Sequence, residues 1–256
     1  MIWRELNPVL IDYWNKGDLV ELHFHPIGPS GTSGNHKEKL DAILNSAGAF
    51  NVTYMALLDQ AVAGLKNLQD NGVVVLWRLI HDFAGRFWWG GSPDRHRRVW
   101  MHMFNYFKGK GLNNLLWVLS SYPTGQYKAY WAGPQYVDIL GLDWAVDWRT
   151  FARAVVRARG IGKPLAITQT GESNGNIFDL RIIRDTFWNR APEVTFFIKF
   201  STGFDVARVG GEWEHRERPK RPVRFSPDKR HLDNQPWRDR LPKHPEPSAL
   251  SFSPFR

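Results

Sequence analysis

The chain has 256 residues and is 43% hydrophobic, which suits one globular domain with a sizeable core. It contains no cysteine, which excludes a disulfide framework, a thiol nucleophile and a thiolate metal site. The net charge of +9 admits polyanionic partners, but much of that charge lies near the C-terminus, interleaved with acids.

In chain order, residues 2–14 read as a helix that stops at Lys16-Gly17. Residues 18–24 are strand-like and end in His25-Pro26 and a loop rich in Gly, Pro and Ser. Residues 51–70 carry Met55, Leu58, Val62, Leu65 and Leu68 at helical spacing, and Asn71-Gly72 stops that helix. Residues 73–77 form a continuous apolar run, as in a parallel strand buried on both faces. The alternation then repeats: helix 96–108, strand 115–119, strand 136–142, helix 148–159, strand 165–168, helix 177–188 and strand 195–200. Such alternation predicts parallel βα units and an α/β fold of the (β/α)8 TIM-barrel type. Six strands are recognisable, near Val20, Val75, Trp117, Ile139, Ile167 and Phe197, two short of the eight that close a barrel.

The composition divides the chain into a barrel domain, residues 1–204, and a basic, proline-rich segment, residues 205–256. Residues 206–256 hold half of the 16 prolines, and 12 Lys/Arg against 7 Asp/Glu, a pattern that opposes regular structure. Because acids interrupt the bases, a solvated tail is expected rather than a nucleic-acid arm. No apolar run reaches the ~18 residues of a membrane span, and no export signal is recognised at the N-terminus, so no membrane partner is expected. The compartment stays open.

The run from Val73 to Gly91 carries the chemistry. A buried strand is followed at once by Arg78, His81 and Asp82, then by Phe87, Trp88 and Trp89. In a barrel, residues at the C-terminal ends of strands face the active site. A carboxyl group, an imidazole and aromatic faces suit a sugar site, because glycoside hydrolysis needs carboxyl groups for proton transfer and surfaces for stacking. Arg78 and Asp82 read equally well as an ion pair bracing the strand end. Trp131 is a further candidate for the aromatic shelf. His96 and His102 lie on a predicted helix with no carboxylate at metal-ligand spacing and are assigned no role. No metal site and no cofactor motif is recognised.

These motifs resemble glycoside hydrolase family 26, whose β-mannanases carry a fourth-strand run of roughly Val-Leu-x-Arg-Pro-x-His-Glu followed by an aromatic-Trp-Trp-Gly loop. Residues 22–26 resemble the family's third-strand end, with His25 before Pro26. Residues 111–120, 136–143 and 163–171 resemble its fifth, sixth and seventh strands, in order and in register over roughly residues 10–200. The resemblance implies a TIM barrel binding a β-mannan polysaccharide or oligosaccharide, with His25, Arg78, His81, Trp88, Trp89 and Asp143 on the substrate side.

The catalytic positions depart from the family. Asp82 stands where the family has its acid/base Glu, one methylene shorter. Gln169 stands at the nucleophile position, and a neutral amide cannot form the glycosyl ester of a retaining mechanism. Leu79 replaces the proline after the arginine, and Trp144-Ala145 follows Asp143 where the family tends to place a Tyr. Glu172 is a candidate displaced carboxylate, for instance as the base of an inverting reaction, which needs carboxyls about 6.5–9.5 Å apart. Three readings follow: an impaired β-mannanase, a non-catalytic carbohydrate binder, or a truncated barrel without sugar function.

Overall fold

The structure is a computed structural model that describes residues 2–24, 40–81, 83, 89–90, 92–121, 127–144, 148–170, 191 and 194–199. Helix α1 (Ile2–Asn15) precedes strand β1 (Val20–Phe24), and a short 3-10 turn (Leu40–Leu44) leads to α2 (Ala49–Asp70). Then come β2 (Val75–Leu79), α3 (Pro93–Gly109), β3 (Leu115–Ser121), α4 (Tyr127–Tyr130), β4 (Ile139–Trp144), α5 (Trp148–Arg159), β5 (Leu165–Thr170) and β6 (Val194–Lys199). The six strands form one sheet in sequential order, and every neighbouring pair is parallel. This is the expected run of βα units, with all six strands present. The helix expected over 177–188 and the segment 205–256 lie outside the described residues.

Local chemistry explains where element ends differ from the sequence pattern. Helix α3 starts earlier than the apolar spacing predicts, because Ser92 caps it by accepting from the Arg95 amide and Pro93 supplies a preset φ at the first turn. Strand β2 starts later. The Val73 amide is taken by the Leu68 carbonyl, which closes α2 through Gly72 at φ +73°, a conformation that suits glycine. Strand β4 also starts later, because Asp138 bridges to β3 instead: its carboxylate accepts from the Trp117 amide at 2.9 Å. The 3-10 turn and α4 carry no sequence signal.

Parallel register sorts the side chains onto two faces. Trp77 and Trp117 point to the helix layer, where Trp77 meets Phe107 at 5.6 Å and Trp117 meets Phe104 at 5.1 Å and Trp100 at 5.7 Å. These tryptophans are core, not sugar platforms, and truncating one would cost about 3–5 kcal/mol. On the other face, His23 stands beside Arg78, and Ser120 beside Gly141. Helix α1 closes on α2 through Asn7, whose amide donates to the Gly64 carbonyl at 2.9 Å and to Asn67 Oδ1 at 2.8 Å.

Candidate active site

The inner face converges on Arg78. It is fully buried, at 0% exposure, in the middle of an apolar strand. A buried guanidinium is costly unless each donor is used. Here Nε donates to Ser120 Oγ at 2.7 Å, and one terminal nitrogen donates to Asp143 Oδ1 at 2.5 Å and to Gln169 Oε1 at 3.1 Å. The other terminal nitrogen faces the His23 ring, and Glu21 Oε1 lies 3.7 Å from it. His23 Nε2 also contacts Glu21 Oε1. The His23 ring thus stands between the two, with its nitrogens 3.1 and 3.2 Å from the same Arg78 nitrogen.

Asp143 completes the network at 2% exposure. Its carboxylate also accepts from Thr168 Oγ1 at 2.8 Å and from Ser120 Oγ at 3.2 Å. Thr168 and Gln169 are consecutive, so regular pleating would aim them at opposite faces. A register shift resolves this. Leu142 pairs with Ile167 and Asp143 with Gln169, so β5 carries one extra residue there, and both side chains reach the ion pair. Beneath them Tyr127 donates to the Gly141 carbonyl at 2.8 Å, and burial holds its phenol well above the usual range.

Gly141 is what lets β3, β4 and β5 approach here. A Cβ at this position would lie 2.5 Å from both Ser120 Cβ and Thr168 Oγ1, the two hydroxyl residues that hold Asp143. Gly141→Ala should therefore cost about 1–3 kcal/mol by overpacking, read as a lowered thermal midpoint. An unchanged midpoint would mean that the strands relax apart freely.

At the end of β2 the backbone turns sharply. Ile80 has φ +46°, a left-handed conformation that a β-branched residue avoids. His81 follows, 7% exposed, with its ring 5.5 Å from that of His23 in an edge-on arrangement. Trp89 was expected on the sugar shelf. In the structure it is 1% exposed, and its indole N–H donates to the His81 carbonyl at 2.9 Å, so it braces the turn. Trp131 stands apart from this site. It lines a cavity of about 350 Å³ with Lys128, Pro134, Gly160 and Ile161, among the loops that lead into β4 and β5.

Arg78, His81, Asp143 and Gln169 are thus brought together, and Trp89 braces them. His25, Asp82, Trp88 and Glu172 lie outside the described residues. Among the described residues Arg78 pairs with Asp143 and Glu21, and the ion pair weighed between Arg78 and Asp82 falls on a residue outside them. Glu21, His23, Ser120 and Thr168 carry no motif. Alternation along β1, which puts Glu21 and His23 on one face, is the signal that finds the first two.

His96, on α3, is another buried titratable group close to this turn. Its Nε2 lies 3.4 Å from the Ile80 carbonyl, and Nδ1 has no hydrogen-bond partner among the described residues. Burial pushes its pKa down from the ordinary 6.5 to about 4, with Arg97 adding to the effect and the Ile80 bond opposing it. The unfolded chain takes up a proton near pH 6.5 that the native state refuses until about pH 4. His96 thus contributes stability that is complete above pH 6.5 and is lost as pH falls toward 4, by about 3 kcal/mol. Urea unfolding at pH 7 and pH 4.5 should show His96→Phe losing less stability on acidification than the unmodified chain. Equal losses would contradict a neutral buried imidazole.

Comparison with known proteins shows the family. The profile of Glycosyl hydrolase family 26 matches residues 2–215. The chain is 31% identical over 224 residues to a mannan endo-1,4-beta-mannosidase of Bacillus subtilis, covering 80% of this chain and 62% of that one. It is 29% identical over 232 residues to mannan endo-1,4-beta-mannosidase A and B of Caldalkalibacillus mannanilyticus, covering 81% and 45%. Among solved structures, a Bacillus subtilis mannanase aligns with a TM-score of 0.67 at 26% identity, over 77% of this chain and 64% of that one. A beta-mannanase from a symbiotic protist of the termite Reticulitermes speratus, complexed with gluco-manno-oligosaccharide, aligns with a TM-score of 0.58 at 28% identity, over 75% and 62%. The chain spans about half to two thirds of the length of these relatives.

Proposed function

The chain belongs to Glycosyl hydrolase family 26, and from that premise we propose that it binds β-mannan or a related β-glycan at the C-terminal ends of its strands, with retaining catalysis impaired. The observation that carries the reading is Gln169. Its amide oxygen accepts from Arg78 at 3.1 Å beside Asp143, at the position that motif order assigns to the nucleophile. A carboxylate there attacks the anomeric carbon and forms a glycosyl ester, and an amide forms none. Asp82 follows His81 in the acid/base position, one methylene short, and a shortfall of ~1 Å at the reacting atom can cost about a hundredfold. Both changes lower the rate without removing the polar floor formed by Arg78, His81 and Asp143.

The test pairs binding with turnover. Calorimetry with mannohexaose should register binding, while reducing-sugar release from β-mannan, followed for a day at high protein concentration, should stay at the level of a heat-killed control. Release above that control would mean that Asp82 works with another carboxylate, and Glu172 would be the next residue to replace. No heat of binding from a folded sample would favour a barrel without sugar function.

A further inference from the structure

Three backbone carbonyls flank position 82, and each is held by an aromatic side chain. His96 Nε2, from α3, lies 3.4 Å from the Ile80 carbonyl. Trp89 Nε1 donates to the His81 carbonyl at 2.9 Å, and the Tyr130 hydroxyl, from α4, donates to the Phe83 carbonyl at 3.1 Å. The Ile80 amide is fixed as well, donating to the Phe24 carbonyl at 3.1 Å. The turn thus has anchors on α3, on α4, on β1 and within its own loop.

This turn needs holding. Ile80 is the one non-glycine residue at positive φ among the described residues, and such a conformation persists only where the surroundings over-determine it. The anchors are themselves rigid. The His96 ring meets Phe83 at 4.9 Å, Tyr130 at 5.2 Å and Trp100 at 5.7 Å, and Phe83 stacks on Tyr130 at 4.0 Å. Close-packed rings of this kind leave a donor few other places to point.

We propose that His96, Trp89 and Tyr130 are positioning residues that fix the backbone at Ile80, His81 and Phe83 and so set where the His81 side chain projects. None of the three needs to touch substrate. They act through three carbonyls, and each donates from a ring nitrogen or a hydroxyl. The link to function rests on the reading that His81 faces the glycan, whereas the tether itself does not depend on it.

The experiment uses the full chain and three variants. Tyr130→Phe removes one oxygen and keeps the ring, His96→Phe keeps an aromatic ring without the donor, and His96→Gln restores an N–H at similar reach. Amide hydrogen exchange over residues 79–90 should quicken about tenfold in each Phe variant, the worth of one hydrogen bond, with β3 and β4 peptides unchanged. The His81 ring resonances should shift in both Phe variants, and His96→Gln should return both readouts toward the unmodified chain. Unchanged exchange and unchanged His81 signals in both Phe variants would overturn the tether. So would a His96→Gln protein indistinguishable from His96→Phe. If His96→Phe does not fold, Tyr130→Phe decides by the same criteria. Mannohexaose affinity is read in parallel. If the unmodified chain does not bind while exchange behaves as expected, the tether stands and the glycan reading fails.

Discussion

Replacing Asp82 and Gln169 together by glutamate is expected to raise the initial rate of sugar release from β-mannan by about 10⁴-fold or more, the scale on which catalytic groups acting as a unit are lost. Restoring Gln169→Glu alone should recover little, because the ester forms only as the glycosidic bond breaks, and without a correctly placed acid the departing oxygen is not protonated. Restoring Asp82→Glu alone should recover less, because no nucleophile exists. The double variant should therefore exceed the product of the two single effects. The polar floor is already suited to it: a carboxylate at 169 would meet Arg78 where the amide oxygen now sits at 3.1 Å. The measurement is initial rate against substrate concentration for all four proteins. A double variant that folds, binds mannohexaose and still releases no sugar would remove Asp82 and Gln169 from the catalytic positions.

Breaking the ion pair at the centre of that floor is expected to be among the largest single losses of stability. Arg78→Met leaves the buried Asp143 carboxylate without its cation, at a cost of about 3–5 kcal/mol. A domain of this kind has only about 5–15 kcal/mol to lose. The loss comes mainly from the stranded charge, not from the missing bond. Arg78→Met combined with Asp143→Leu should thus be less destabilised than Arg78→Met alone, a coupling that urea denaturation of the four-protein cycle would reveal. Glu21 tempers the rescue, since its carboxylate also faces Arg78 at 3.7 Å. A double variant as unstable as the sum of the singles would mean that Arg78 and Asp143 are each held by other groups.

Much of the fold is legible before any coordinates. Apolar runs such as Val73 to Trp77 and helical spacing such as Leu58, Val62 and Leu65 report burial directly, because strands and helices repeat at different periods. All six strands expected from that pattern are present, in sequential parallel order. Arg78 and His81 also announce themselves, because charged and polar groups at an apolar strand end need a reason, whereas Asp143 and Gln169 were singled out by the resemblance to the family. The family followed from their order, and the profile match over residues 2–215 agrees with it.

Other features belong to tertiary structure alone. Trp89 sits in an aromatic run and reads as part of a sugar shelf, and that it is buried under the turn depends on how the loop packs. His96 has no local partner in sequence; its partner is the Ile80 carbonyl, sixteen residues away, across a β–α junction. The Arg78–Asp143 pair spans 65 residues and needs the register shift in β5 to bring Gln169 to the same guanidinium. Local periodicity reports whether a residue is buried, and so it determined the element types, while the family came from the resemblance of the motifs taken in order. Partner identity depends on strand register and on helix packing, which are long-range, and only the tertiary structure decided those.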